Sequence, residues 1–528
     1  MWFEVFVICF TVFLLWIIGK FLVLLDVVHV PKKKCIHLWR SAKNLNQAVY
    51  CSICEIMLTS CGFYCESCGV CADSLCIHTA ELVLKCKENY TQSSSTEQKV
   101  VRDQVHMWVK GNLTQTYECY ICQRDIDYHG RPGLYGYRCC WCQRCTHVNC
   151  FVKTADDKIC DFGRYRNLII PPNHVYMKRR RLQRITSIVA PDWSEWKPLI
   201  VVANLKSGDS TAAGVMAIFR SVLNPIQIFE LSASGPGDAI RLISKMRSVQ
   251  CRILVAGGDG TVGWILNEIV QKNIKPLPEV SILPIGTGND LSRVLNWGGV
   301  PPTDLNPMEL CEKVGIENAK VVQLDRWVID IEGRRSRRLH INWLPHRKLQ
   351  MYNYFSIGVD AQIALDFHKA RASPFYIFSS RVLNKILYLC FGTQQVLDQY
   401  CVGLEKKVKV YIDEKSIELP ELQSIVCLNI DSWGAGVQLW EMSSEENDLR
   451  VHSTSDGLIE VMGIVSSFHM AQLQVGLNKP IRLGQGRKVR IIVRESFPVQ
   501  ADGEPWVQTP CELNISCNGQ VKMLKCTT

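Results

Sequence analysis

"LVAGGDGTVGWILNEI", residues 254–269, runs from an apolar segment through Gly257, Gly258, Asp259, Gly260 and Thr261 into a helical apolar pattern. Glycine weakens the interior of a helix or strand, so a cluster between two elements must serve the junction. A second cluster, Gly286, Thr287, Gly288, Asn289 and Asp290, stands in "VSILPIGTGNDLSRVL" (280–295) and also joins an apolar run to a helical one. Around the two clusters, strand-like segments (198–203, 226–231, 251–258, 280–286) alternate with helix-like ones (211–223, 238–246, 262–271, 289–295). That alternation predicts a doubly wound α/β sheet. Ligands of such sheets bind beyond the carboxyl ends of the strands. A missing Cβ lets backbone amides approach an anion, and a helix amino terminus adds unpaired N–H groups and positive dipole. One glycine-rich turn is an ordinary tight connection. Two at equivalent positions, each carrying an acid, predict a phosphate site. Neither matches the Gly-Lys-Ser/Thr of a P-loop or the spaced glycines of a dinucleotide fold.

The chain of 528 residues is long enough for several domains, and 47% hydrophobic with 21% charged residues indicates mostly globular structure. The net charge of +10 suits anionic partners such as lipid headgroups, nucleotides or nucleic acid. Of 26 cysteines, 17 lie between Cys35 and Cys160. A dense block of paired cysteines ahead of a cysteine-poor half points to zinc in a reducing compartment rather than to a disulfide scaffold. Sequons at Asn89, Asn112 and Asn514 are expected to go unused there.

The cysteine block is a repeat. One copy reads His37, Cys51, Cys54, Cys65, Cys68, Asp73, Cys76 and Cys86; the other reads His106, Cys119, Cys122, Cys139, Cys142, His147, Cys150 and Cys160. Zinc takes four nitrogen or sulfur donors in a tetrahedron, so eight ligands make two sites per copy. The order resembles the protein-kinase-C-type, phorbol-ester/diacylglycerol zinc finger, whose ligands interleave. That resemblance implies His106, Cys139, Cys142 and Cys160 on one Zn²⁺ and Cys119, Cys122, His147 and Cys150 on another. In the first copy it implies His37, Cys65, Cys68 and Cys86, with Cys51, Cys54, Asp73 and Cys76. Asp73 departs from the histidine of the pattern, and Cys71 is the alternative ligand there; Cys61, Cys140 and Cys145 are extra cysteines beside the set. Neither copy has the proline that lipid-binding members carry before the first cysteine pair.

"VFVICFTVFLLWIIG" (5–19) is uncharged, and its apolar character continues to Val30 across Lys20 and Asp26. At about 1.5 Å per residue this length spans a hydrocarbon layer, so residues 1–30 are expected to be a retained membrane anchor. A re-entrant helix is the rival geometry. "PKKK" (31–34) follows, and positive charge stays cytoplasmic. The bulk of the chain is therefore expected in the cytosol, on the endoplasmic reticulum or plasma membrane. "MKRRRLQR" (177–184), within a basic linker over 161–195, and "GRRSRRLHINWLPHRK" (333–348) are candidate contacts with an anionic membrane surface. Nucleic acid is not the expected partner of a membrane-anchored chain.

"GGDGT" and "PIGTGNDLSR", with "NLKSG" (204–208), "YFSIGVDAQIA" (354–364), "SDGLIEV" (455–461) and "QADGEPW" (500–506), resemble the catalytic unit of the diacylglycerol kinase family. With the apolar start and two zinc modules ahead, the order of parts is similar to the epsilon-type branch. The resemblance implies a multidomain lipid kinase: a membrane helix, zinc modules at 37–86 and 106–160, an α/β nucleotide-binding domain at 196–330 and a β-rich accessory domain at 331–528. It implies ATP held by Asn204, Ser207, Gly257, Gly258, Gly260, Thr261, Gly286, Thr287, Gly288, Asn289, Asp290 and Glu504, with Mg²⁺ near Asp259 and Asp290. It implies Asp456 as the catalytic base, with Asp259 in the catalytic set, and Asp360 as the group that orients diacylglycerol. Sphingoid or ceramide kinases share the scaffold and are the alternative, together with an inactive zinc-module scaffold.

Overall fold

Leu199–Ala203 (β1) consists of five apolar residues, all buried, as a strand covered on both faces requires. It begins the α/β unit of a computed structural model that describes residues 37–42, 49–58, 62–92, 103–113, 118–126, 134–153, 159–178, 184–205, 209–231, 235–301, 319–333, 346–372, 401–443 and 451–527. After β1 come α1 (Asp209–Val222), β2 (Ile228–Glu230), α2 (Gly237–Ser244), β3 (Arg252–Gly257), α3 (Asp259–Gln271), β4 (Glu279–Pro284) and α4 (Asp290–Val294). The strands pair in parallel in the order β2–β1–β3–β4. Side chains alternate between two cores. Ile200, Val202, Ile253 and Val255 face one with α2 and α3, while Leu199, Val201, Leu254 and Ala256 face the other with α1.

The second half is β-rich. It comprises β5 (Ala319–Gly333), β6 (His346–Met351), β7 (Tyr354–Gly358), α5 (Val359–Ala372), β8 (Val408–Ile412), β9 (Lys415–Ile417), β10 (Ser424–Leu428) and β11 (Ile459–Ile464). It continues through α6 (Ser467–Gln474), β12 (Ile481–Gly486), β13 (Lys488–Val493), β14 (Phe497–Ala501), β15 (Glu504–Gln508) and β16 (Cys511–Cys526). A six-stranded antiparallel sheet runs β12–β11–β10–β7–β14–β15. It packs through Phe355, Ile425, Val461 and Val499 against Trp327, Val410, Ile491 and Leu513 of β5, β8, β13 and β16.

The two halves share a sheet. A ten-stranded sheet runs β2–β1–β3–β4–β16–β13–β8–β9, with β5 on β16 and β6 on β5. Val280 of β4 lies beside Met523 of β16, and Trp297 Nε1 donates to Leu524 O at 2.7 Å. The C-terminal strand therefore belongs to both halves, and the expected boundary at 330/331 falls inside β5.

The stretch expected as a basic linker, 161–195, is built in. Val175–Lys178 and Arg184–Ile188 form an antiparallel pair, and Ile170, Val175, Met177, Ile185 and Ile188 join the core under α2 and α3. Buried Gln227 accepts from Ile170 N at 2.8 Å and donates to Leu168 O at 2.8 Å. Apolar residues interleaved with the charges, rather than net charge, decide the placement; the arginine-rich core of the run, 179–183, lies outside the described residues. Residues 1–30, expected as the anchor, and 334–345 of the second basic stretch also lie outside them. Among the described residues no helix is long and apolar enough to cross a membrane.

Candidate active site and metal clusters

The carboxyl ends of β3 and β4 are adjacent, with Gly257 beside Pro284, so the two glycine clusters emerge side by side. Gly258 is the N-cap of α3, and no side chain caps that end, which leaves first-turn N–H groups facing outward. A Cβ on Gly286 would stand 2.5 Å from Gly258 Cα, and one on Gly258 would stand 3.0 Å from Gly286 Cα. The glycines thus serve loop-to-loop contact as well as open amides. Asn204 Nδ2 donates to Thr261 Oγ1 at 3.1 Å and ties the end of β1 to the first cluster. The resulting cleft holds about 400 Å³. Asn204, Gly258, Asp259, Gly260, Thr261, Gly286, Thr287, Gly288 and Asp290 line one wall, and Asn353, Tyr354, Asp502, Gly503 and Glu504 of the β-rich half line the other.

The acids here are struts. Asp259 accepts from Asp290 N at 3.0 Å and Leu291 N at 3.1 Å, which pins α3 to α4. Asp290 accepts from Ser432 Oγ at 2.6 Å, Ala435 N at 3.1 Å and Gly436 N at 3.0 Å, drawing a loop of the second half onto the second cluster. Asp502 accepts from Tyr352 N, Asn353 N and Tyr354 N at 2.8, 2.8 and 3.1 Å. Burial and the neighbouring Asp290 charge push Asp259 up to about 6. Burial pushes Asp502 up to about 7 against its three amide donors. A cation in the cleft would reverse both shifts. Glu504 is exposed, and among the described residues no hydrogen bond or ion pair engages it.

Several expected site residues stand elsewhere. Asn289 is 1% exposed, and its Nδ2 donates to Gly286 O at 2.8 Å and Gly299 O at 2.9 Å. It braces the loop from behind and offers the cleft no donor. Gly257 is buried at the end of β3, where a Cβ would stand 2.6 Å from Thr261 Cβ. Ser207 lies outside the described residues. Asp360 is fully buried at the start of α5, accepting from Ser356 Oγ at 2.5 Å, from Gln500 Nε2 at 2.9 Å and from Ser424 Oγ. With donors from three strands on its carboxylate, it anchors α5 and is not among the cleft-lining residues. Asp456 is exposed on the turn before β11, accepts from Leu458 N at 3.0 Å, and is not among the cleft-lining residues. Its turn is tied toward the cleft, since Gly457 N donates to Asp325 Oδ2 at 2.7 Å and Asn429 Nδ2 bridges Asp325 O and Tyr352 O.

Four further residues take part that the sequence pattern did not single out. Trp264 lines the cleft at 47% exposure; its place three residues after Thr261 on one helix face was the available signal. Asn353 and Tyr354 had none beyond their nearness to "YFSIG". Asp325, buried in β5 among alternating apolar and charged residues, had no local signal that set it apart from Asp330 and Glu332.

The cysteine block assembles as four clusters: His37, Cys65, Cys68 and Cys86; Cys51, Cys54, Asp73 and Cys76; His106, Cys139, Cys142 and Cys160; Cys119, Cys122, His147 and Cys150. Zn–S bonds of about 2.3 Å and Zn–N bonds of about 2.0 Å at tetrahedral angles set ligand atoms roughly 3.5–3.8 Å apart. Observed edges include Cys68 Sγ to His37 Nδ1 at 3.4 Å, Cys65 Sγ to Cys86 Sγ at 3.7 Å, Cys142 Sγ to His106 Nδ1 at 3.5 Å and Cys122 Sγ to His147 Nδ1 at 3.4 Å. The Nε2 atoms of His37 and His147 lie 3.1 Å from Leu84 O and Asp125 O, the outer contact that orients a metal-binding imidazole. Asp73, not Cys71, faces its cluster: Oδ1 accepts from Leu75 N and Cys76 N at 2.8 and 2.7 Å, leaving Oδ2 3.1 Å from Cys54 Sγ. Cys140 and Cys145 point to Cys68 O and Gln143 O, outside the clusters, and Cys61 lies outside the described residues. The donor set and its edges fit zinc.

Family models of the diacylglycerol kinase catalytic domain and accessory domain match residues 198–324 and 350–505. The chain is 33% identical over 547 aligned residues to "Probable diacylglycerol kinase 3" of Caenorhabditis elegans, covering 95% of this chain and 66% of that one. It is 38% identical to human "Diacylglycerol kinase theta" over 65% of this chain and 37% of the relative, and 33% identical to human "Diacylglycerol kinase iota" over 87% and 47%. This chain thus spans between a third and two thirds of these relatives' own lengths. A crystal structure of a diacylglycerol kinase from Bacillus anthracis is similar at a TM-score of 0.36 and 18% identity, covering 62% of this chain and 96% of that one.

Proposed function

Because the chain belongs to the diacylglycerol kinase family, we propose that it transfers the γ-phosphate of ATP to the free hydroxyl of 1,2-diacylglycerol, giving phosphatidic acid and lowering diacylglycerol. The observation that carries this reading is the meeting of two glycine loops, Cα against Cα, across from the Asp502–Glu504 turn. That arrangement suits a triphosphate held between two domains by backbone amides at helix amino termini.

The transfer asks little covalent work of the protein. The amides of Gly258, Gly260, Gly286 and Gly288 and the hydroxyl of Thr287 hold phosphate oxygens. Mg²⁺, when bound, neutralises charge on the β- and γ-phosphates; Glu504 and the free lone pairs of Asp259 and Asp290 are the carboxylate oxygens nearest to hold it. The diacylglycerol hydroxyl oxygen attacks phosphorus, its proton passes to the carboxylate of Asp456, and the bond to the β-bridging oxygen breaks to release ADP. For Asp456 to act, the γ-phosphate must point from the glycine loops toward the turn held by Asp325. The four cysteine clusters each hold a structural Zn²⁺. Residues 1–30 anchor the chain in the endoplasmic reticulum or plasma membrane with the kinase in the cytosol, beside its bilayer substrate. Basic stretches add contact with anionic lipid, and no nucleic acid is involved. The order of parts in the sequence supports the epsilon-type branch.

Labelled ATP with mixed micelles of diacylglycerol, sphingosine or ceramide tests the reading. Label in phosphatidic acid alone supports it, label in a sphingolipid supports the scaffold's other kinases, and no label supports an inactive scaffold.

A further inference from the structure

Lys87 directly follows the cluster residue Cys86 and is 1% exposed, an unusual burial for an ammonium. Its Nζ donates to Arg220 O at 3.2 Å, Ser221 O at 2.6 Å and Leu223 O at 3.2 Å. Lysine has three donors, and here three carbonyls at one helix end receive them. Two belong to the last turn of α1 and the third, from Leu223, follows it; a helix's last turn leaves carbonyls unpaired and carries the negative end of the helix dipole. The same Nζ stands 4.9 Å from the ring centroid of Trp141, which is buried between Cys139 and Cys142 of the second module. One side chain therefore joins both modules to the kinase half.

Other contacts converge on that helix. Gln143 Nε2 donates to Ser221 O at 3.2 Å, Arg220 pairs with Glu66 at 2.5 Å, and Arg40 Nη1 donates to Ala213 O at 3.1 Å. The modules also grip each other, with Arg138 Nη2 donating to Cys68 O at 3.4 Å and Asn112 exchanging two bonds of 2.8 Å with Tyr50. Along its length α1 packs through Ala212, Val215, Met216 and Phe219 on Leu199, Val201 and Ala203 of β1, and at the end of β1 Asn204 holds Thr261 of the first glycine cluster. A helix of fourteen residues is a rigid lever.

We propose that Lys87 is a positioning residue for the nucleotide site: held beside the cluster that contains Cys86, it caps α1 and so fixes the helix that packs on β1, the strand from whose end Asn204 reaches the first glycine cluster. The modules then serve as structural parts of the kinase. The proposal rests on the kinase reading above, and its test includes a readout that does not.

The test uses the full chain in mixed micelles. Lys87→Met keeps the stem and removes charge and donors. The expected result is unchanged zinc per chain, an ATP KM raised at least about threefold, an unchanged KM for micellar diacylglycerol, and faster amide exchange in the last turn of α1. Gln143→Ala, at a half-buried position, should move exchange and ATP KM in the same direction by less, and it decides the matter if Lys87→Met fails to fold. Wild-type exchange in α1 with wild-type ATP KM in the folded variants overturns the proposal. So does an equal rise in both KM values. A wild type that phosphorylates no diacylglycerol overturns the kinase reading instead and leaves the exchange comparison standing.

Discussion

Gly286→Ala is the substitution whose effect the geometry fixes most closely. The new methyl would lie 2.5 Å from Gly258 Cα and 2.8 Å from Asn289 Oδ1, against an ordinary contact of 3.4–4 Å. Neither neighbour is a flexible tip, because one is backbone and the other belongs to a side chain fixed by two bonds to carbonyls. The loops must part by roughly 1 Å, which costs about 1–3 kcal/mol as overpacking. A misplacement of about 1 Å at a phosphate site is worth on the order of 100-fold in rate. Gly260→Ala is the control: its methyl would meet only Glu504 Oε1 at 3.5 Å. Steady-state kinetics on diacylglycerol micelles, with a thermal melt of each variant, separates the two. We expect Gly286→Ala to lose about 100-fold in kcat/KM for ATP with a modest fall in Tm, and Gly260→Ala to melt at or above the wild-type temperature. Wild-type kinetics in Gly286→Ala would refute the argument that loop-to-loop contact shapes the site.

Other expectations are checked as simply. Trp264, half exposed in the cleft, offers a flat face to a purine; Trp264→Ala should raise the ATP KM about fivefold or more, given about 1–3 kcal/mol per stacked base. Asp259, Asp502 and buried Glu460, raised to about 6, 7 and 8, favour protons in the folded state. The nucleotide-free Tm should therefore fall as pH rises from about 4 to 8 and level off above, while Asp502→Asn removes one proton's worth of that slope between about 4 and 7. Deleting residues 511–528 removes β16, which pairs with β4, β5 and β13; circular dichroism and solubility should show loss of both halves, not of the accessory half alone.

The parallel strands were legible because both their faces are buried, so each reads as one apolar run: Leu199–Ala203 and Arg252–Gly257 fall within a residue of the expected 198–203 and 251–258. The four cysteine clusters were legible because ligand spacing is a local property of tight turns and outlasts ignorance of the fold. Contacts across long sequence distance were not. Asp360 looks like a site acid in "GVDAQ" until Ser424 and Gln500, 64 and 140 residues away, arrive on its carboxylate. The far wall of the cleft comes from Asn353, Tyr354 and Asp502, and nothing local in those residues aims them at a glycine loop. The C-terminal strand reads as an ordinary member of the β-rich half, because alternation records that a face is buried and not which sheet covers it. Lys87 left no trace at all: a lysine beside a cysteine is unremarkable until a helix end from another module closes over it.

The struts also decide how loss of activity at the cleft must be interpreted. Asp259 and Asp290 each spend both carboxylate oxygens on another segment. An asparagine at 259 would present an amide NH₂ to one of two N–H donors and leave a buried group unpaired, at a cost of about 1–3 kcal/mol. Asp259→Asn therefore disturbs the α3–α4 junction whatever it does to Mg²⁺, and its inactivity alone would not make it a metal ligand. Glu504 is the informative position, since its carboxylate is exposed at the cleft and, among the described residues, takes no hydrogen bond or ion pair. If it helps to hold the cation, Glu504→Gln should raise the Mg²⁺ concentration needed for half-maximal rate several-fold at saturating ATP with the Tm unchanged. Asp259→Asn should lower the Tm together with the rate. A Glu504→Gln variant with a wild-type Mg²⁺ requirement would hand the cation to Asp259 and Asp290, and the nucleotide would then be held by the α/β half alone.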